Sequence, residues 1–451
     1  MLNEKLDEYL KNEYYPFHMP GAKRTDILRN DLPYQRDLTE IEGFDNLNDP
    51  RDILLELEYK IADIYSVNKA IISTNGSTCG ILSTIRALTY KNKNILIERT
   101  SHKAVYNAIE INNLNPSYID VELSEENAVV GINYQTLSKK LNENKFAAVV
   151  ITSPSYEGYI LDLDKIYNEC KKANTPLVVD LAHGSHLILN ESWSDNFDIA
   201  ITSFHKNLSG LTPSACVLIN SETYINEIKR NMAIFQSSSP SYIIMQSIDE
   251  MVEKFDKFYD LYKELNKNLD EIYNLKLNHL QIIDKSNKDR SKILISTNSS
   301  NINGAELQEL LKIEKIEIEM AYPSYALLIS TIFDKKYAFD RLKNALIKID
   351  EKISFGTNKQ IFRYDIPQKK YNIAEVFSKN KITVNIDQAI DKISADFVYA
   401  YPPGIPLIVP GEVIDKQVLK NIQSIQKRGI ELNIDKEISI INWHFFAKLL
   451  L

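Results

Sequence analysis

The chain has 451 residues, of which 44% are hydrophobic and 25% charged, an ordinary globular composition with enough sequence for two or three domains. A net charge of −8 offers no basic field to nucleic acid or anionic membrane, and no stretch approaches the ~20 apolar residues of a membrane span. Three scattered cysteines, Cys79, Cys170 and Cys216, fit a reducing compartment and give no disulfide framework or structural zinc cluster. The N-terminus is polar and mixed in charge, without the apolar core of a signal peptide, so the expectation is a soluble cytoplasmic protein.

In chain order, residues 1–50 read as an N-terminal arm with one helix over Asn3 to Glu13. Helix and strand patterns then alternate: a helix over 51–66, a strand in KAIISTNG, a helix in STCGILSTIRALTY and a strand in NILIER. The alternation continues with a helix in HKAVYNAIEI, a strand in PSYIDV, a helix in YQTLSKKLNEN and a strand in AAVVITSP. A helix in LDLDKIYNECKKAN leads to strands in PLVVDLAHG, DIAITS and ACVLIN. Short apolar runs between amphipathic helices predict a mostly parallel sheet covered on both faces, in a large α/β domain spanning 51–275. Helices are expected over 221–235 and 240–274. A smaller α+β domain (276–451) follows, with strands in SKILIST, IEIEMA and ALLISTI. Residues 354–378 read as a linker or loop, and AYPPGIPLIVPGEVI (400–414), too rich in proline for a sheet centre, as a rigid loop.

The chemistry-bearing residues sit where these strands end, the edge at which open α/β sheets bind ligands. In STNGSTCGI a turn opens a helix whose first N–H groups, with the hydroxyls of Ser77 and Thr78, suit a phosphate or serve as an ordinary cap. The stretch matches neither a Walker loop nor a dinucleotide fingerprint. In VVDLAHGSH, Asp180 ends a buried strand, and a carboxylate there is costly unless something positive pairs with it. A protonated ring nitrogen of a cofactor would do so. Ala182 would let a flat ring lie against the backbone, with His183 and His186 in reach, and a metal reading of Asp180, His183 and His186 is also open. In DIAITSFHKNLSG, Lys206 follows the next strand, flanked by Ser203 and His205. A lysine at an apolar strand end has a lowered pKa, so its neutral amine can attack a carbonyl. Pyridoxal phosphate (PLP) needs a Schiff-base lysine, an acid for its ring nitrogen, a phosphate cup and a group stacked on its face. Lys206, Asp180, and Ser77-Thr78 with Ser203 supply three of these; His102, in RTSHKAVY, is the candidate for the fourth.

The ordered set PFHMPGAKR, LPYQRDLTEIEGFDNL, NGSTCGI, SHKAVYNAI, VVITSPSYEGYILDL, VVDLAHGSH, SFHKNLSGLT, SSSPSYIIMQSID and YPPGIPLIVPGE resembles the Orn/Lys/Arg decarboxylases over nearly the whole chain. It is most like the short bacterial members without a wing domain. The resemblance implies an aspartate-aminotransferase-like, fold-type I PLP domain. Lys206 would be the covalent anchor, and Asp180 would pair with the pyridine nitrogen. His102 would stack on the ring and protonate the reacting carbon. Ser77, Thr78, Ser203 and His205 would bind phosphate, with Ala182 under the ring and His183 near its hydroxyl side. It further implies sites built at a dimer interface, which SSSPSY would approach, in a homodimer or higher even-numbered oligomer. The reaction implied is decarboxylation of a basic amino acid, with arginine the first choice, then lysine or ornithine. Glu412, in the entrance loop, or Asp37, in the arm, would receive the cationic tail. Three residues depart from the family pattern: Ala22 for histidine, Leu181 for an acid, and Pro213 for glutamine. Other PLP reactions on the same scaffold, an aminotransferase, an aldolase-type lyase or a racemase, and a non-catalytic binding protein are the rival readings. An aminotransferase would want an arginine in the small domain, and Arg363 is the one candidate among the few there.

Overall fold

The computed structural model describes residues 1–12, 14–357, 366–400, 405–427 and 432–442; Glu13, Arg363 and residues 401–404 of the expected proline-rich loop lie outside them. The chain forms two compact units that interleave in sequence. The first comprises Met1–Tyr90, Leu163–Tyr167 and Pro176–Lys263; the second comprises Lys91–Asp162, Asn168–Thr175 and Glu264–Leu451.

In the first unit, strand Ala215–Ile219 lies between Lys69–Ser73 and Ile199–Ser203 and runs antiparallel to both, whereas Leu177–Leu181 pairs parallel with Ile199–Ser203. The reversal follows from the connection. A parallel crossover needs a dozen or more residues, usually with a full helix, and the link from 203 to 215 holds only the one-turn helix Phe204–Asn207. All four strands are buried at every position, as continuous apolar runs covered on both faces should be. Helix Gly76–Leu88 lies tightly on them. A Cβ at Gly80 would come within 2.9 Å of Ile201 Cγ2 and Val217 Cγ2, so only glycine permits this approach.

The expected helix over 240–274 is two helices, Tyr242–Glu253 and Phe255–Tyr273, broken at Lys254 with no proline or glycine to announce it. The arm is tied to the former. Helix Leu2–Lys11 buries Leu2 and Leu6, the Asn3 backbone N–H donates to Asp249 Oδ2 at 2.9 Å, and Arg36 Nε donates to Gln246 Oε1 at 2.8 Å.

In the second unit, strands Asn94–Glu98, Asn115–Ile119 and Val149–Thr152 pair in parallel, the first in the middle. A four-stranded antiparallel sheet follows in the order Gln281–Ile282, Lys292–Ser296, Tyr325–Ile329, Met320–Tyr322. Two expectations are corrected here. The alternation in IEIEMA yields a strand only at Met320–Tyr322, because helix Gly304–Ile313 closes through Lys315 at φ 62° and the Ile316 N–H bonds back to Leu311 O. The proline-rich stretch carries strand Ile405–Ile408, paired antiparallel with Val398–Ala400. A two-stranded ribbon tolerates Pro406, since only one edge of the strand must donate.

Lys288 is buried in this unit, its Nζ donating to the carbonyls of Asp289 and Lys292. Burial pulls its pKa down to about 8, against the pull of Asp289, Asp284 and Glu157. The unfolded lysine holds its proton to a higher pH than the folded one, so stability rises as pH climbs from about 8 towards the unfolded value. Relative to Lys288→Met, the wild-type chain should gain about 2 kcal/mol between pH 8 and 10, read from denaturant midpoints. Parallel pH profiles would show that Lys288 does not titrate in this window.

Candidate active site

Register brings the marked residues of the first unit to one sheet edge. Ser73 and Ser203 both lie opposite Ala215, and Leu181 lies opposite Thr202. The turns that leave these strands therefore converge: Thr74–Gly76, Ala182–His183 and Phe204–Lys206. Pro213 lies against the first of them, 3.5 Å from where a Gly76 Cβ would stand, and Gly76 itself turns the chain into its helix at φ 75°.

Helix Gly76–Leu88 begins without a side-chain cap, so the cap alternative for this turn is not the one the structure takes. Asn75, in the N-cap position, instead accepts from the Ser237 backbone N–H at 3.3 Å, which sets the start of the SSSPSY segment beside this turn. Ser77 and Thr78 are half-buried and exposed at the uncapped helix start.

Asp180 is 3% exposed. Its Oδ1 accepts from the Ala182 N–H at 3.1 Å, and among the described residues it has no ion-pair partner. A buried carboxylate with no cation beside it is an incomplete arrangement that a cationic ligand would complete. Lys206 is half-buried, with Nζ 3.0 Å from His183 Nε2, and His183 and Ala182 are buried. His205 Nδ1 contacts the Ser214 carbonyl at 2.9 Å as donor. Burial first, then Lys206, holds the pKa of His205 down, against the Ser214 bond; an anion beside Nε2 would draw a proton onto it. Asp180, His183 and His186 form no group able to hold a metal ion among the described residues.

Sequence reasoning missed two residues here. The hydroxyls of Ser203 and Ser214 are fully buried with no hydrogen-bond partner among the described residues, and so is the whole carboxamide of Asn207. Buried polar atoms without partners occur elsewhere among the described residues too, but these three residues lie on or against the Lys206 turn, where Ser214 O accepts from the Phe204 N–H. The signal was a run of polar types next to Lys206, which carries no weight until burial is known.

Of the remaining expected residues, Asp37 belongs to the first unit, and His102 and Glu412 belong to the second. His102 belongs to the second unit, where its Nδ1 accepts from the Ala104 N–H at 3.2 Å and caps helix Lys103–Ile111. Asp37 is half-buried on the arm, and burial raises its pKa, opposed by the Leu38 N–H. Glu412 requires a correction. It is fully buried in the second unit, with Oε1 and Oε2 bonded to Arg99 Nη1 and Nη2 at 2.7 and 2.9 Å, and the Val409 N–H at 2.9 Å. Burial pushes its carboxyl up against the pull of Arg99. Both oxygens are engaged, so Glu412 is an internal counter-charge and not a receptor for a substrate tail.

A lysine, an uncompensated acid and orphaned hydroxyls fit PLP, and their convergence at one edge of an α/β sheet defines a fold-type I PLP enzyme. Residues 2–331 match the major domain of the Orn/Lys/Arg decarboxylases and residues 359–431 their C-terminal domain. The chain belongs to the Orn/Lys/Arg decarboxylase family, and is a PLP-dependent amino-acid decarboxylase. It is 27% identical over 456 residues to an uncharacterized Bacillus subtilis protein, YaaO, covering 94% of each chain. It is 26% identical over 457 residues to a B. subtilis arginine decarboxylase, covering 93% of each. Among solved structures, a lysine decarboxylase of Francisella novicida superposes with a TM-score of 0.82 at 18% identity, covering 98% of this chain and 81% of that one.

Proposed function

We propose that this enzyme removes the α-carboxylate of arginine, with lysine and ornithine the next candidates. The observation that carries the site assignment is Asp180, a buried acid with no ion-pair partner among the described residues, one strand over from Lys206. Support for arginine is that full-length relatives at 24–26% identity are named arginine decarboxylases, whereas the relatives named lysine decarboxylases stand at 19–22%.

PLP, when bound, supplies an electron-accepting ring that takes up the electrons of the breaking carbon–carboxylate bond. Lys206 would hold it covalently. Asp180 would hold a proton on the ring nitrogen, because a carboxylate in a low-dielectric site favours a positive neighbour. Ser77, Thr78, Ser203 and the uncapped helix start would bind its phosphate, with His205 once protonated. Ala182 would leave room for the ring, and His183 would serve its hydroxyl side. The stacking and proton-donating role of His102 rests on the family motif. Asp37 is the remaining candidate for the cationic tail, which would draw its raised pKa back down. Assembly as a homodimer or higher even-numbered oligomer, and a cytoplasmic location, belong to the same proposal; among the described residues no helix is long and apolar enough to cross a membrane.

The test is incubation of PLP-loaded protein with arginine, lysine and ornithine together, with mass spectrometry for agmatine, cadaverine and putrescine. Agmatine should dominate. Cadaverine or putrescine alone would reassign the substrate, and no amine from protein that binds PLP would overturn decarboxylation of a basic amino acid.

A further inference from the structure

We propose that His183 is the positioning and proton-accepting partner of Lys206. This rests on reading Lys206 as the cofactor's anchor and adds a role that cofactor contact alone does not give His183.

Lys206 Nζ and His183 Nε2 are 3.0 Å apart, and His183 is 7% exposed. A contact this short between two bases needs one hydrogen and one lone pair, and two cations so close in a desolvated site would repel strongly. Lysine is the stronger base by about four units in their ordinary values, so the shared proton rests on Nζ. His183 therefore presents the Nε2 lone pair and keeps its ring hydrogen on Nδ1. The other titratable groups on the elements carrying the pair are Asp180 at the end of strand Leu177–Leu181, His186 beyond His183, and His205 on the Phe204–Asn207 turn.

Two consequences follow for a lysine that must leave and rejoin a carbonyl carbon. Its amine is held in one direction while free. It also has an acceptor for its proton. The Nζ–H bond breaks, an Nε2–H bond forms, the electron pair stays on Nζ to attack, and the charge passes to the imidazole; nothing is oxidised or reduced. The transfer is uphill in ordinary basicities, so His183 holds the proton transiently.

The test has two arms on the full-length protein. In cofactor-stripped protein with labelled histidine, NMR titration should find the His183 protonation midpoint depressed, and Lys206→Met should raise it by about one unit or more, since the neighbouring cation is gone. In stopped-flow mixing with PLP, His183→Gln keeps a polar atom at the Nε2 place but cannot take a proton. It should slow the visible band of lysine-bound cofactor by on the order of 10²-fold, with the far-ultraviolet spectrum unchanged. An unchanged midpoint in Lys206→Met, or a wild-type rate in His183→Gln, overturns the role of His183 alone. A wild-type protein that never forms the band overturns the anchor reading and this inference with it.

Discussion

Lys206→Met should abolish the visible band of PLP-loaded protein and lower decarboxylation by on the order of 10³ to 10⁶-fold, the range seen when a covalent group is removed. Methionine is nearly the same length and fills the same half-buried place, so the fold should survive. The loss is large because no other lysine lies among the residues this sheet edge brings together. The turns after 73, 181 and 203 carry one lysine, at 206. A variant that keeps the band would place the anchor elsewhere. A variant that loses the band but keeps activity would contradict covalent attachment as part of the reaction.

The second large effect is on stability. Glu412→Gln should destabilise the protein by about 3–5 kcal/mol, because it leaves the Arg99 guanidinium buried beside a neutral amide. Arg99 is 1% exposed. Besides Glu412 it donates to the Leu407 carbonyl at 3.3 Å, lies over the Tyr118 ring at 4.9 Å, and accepts the Tyr106 hydroxyl on its own carbonyl at 2.6 Å. That network joins the 405–413 segment to strands Asn94–Glu98 and Asn115–Ile119 within the second unit. The measurement is a denaturant midpoint, paired with the apparent affinity for arginine of the folded fraction. Lost stability with little change in affinity is expected. Lost affinity with wild-type stability would restore Glu412 to the substrate site.

These two residues also show how far the sequence could be read. Lys206, Asp180 and Ser203 stand out as candidates because each punctuates an apolar run locally, and a strand that ends in a charged or hydroxyl residue needs a reason. The order of the motifs was equally local. Glu412 was misread because its reason for burial is Arg99, 313 residues away in sequence. Nothing near Glu412 distinguishes an internal carboxylate from a substrate receptor. The same holds for the pairing of Ile405–Ile408 with Val398–Ala400, which overrides a proline-rich composition through a partner strand. The contact between Lys206 and His183, 23 residues apart, depends on the register of two neighbouring strands. The orphaned Ser214 and Asn207 depend on burial alone. Helix and strand existence is mostly a short-range property, whereas the identity of a charged residue's partner is not.

Peptide mapping after borohydride reduction of PLP-loaded protein would show which residue carries the cofactor. Reduction fixes the pyridoxyl group on whichever amine holds it. One modified peptide should appear, bearing the added mass on Lys206. A pyridoxyl group on another lysine, or none fixed at all, would contradict it.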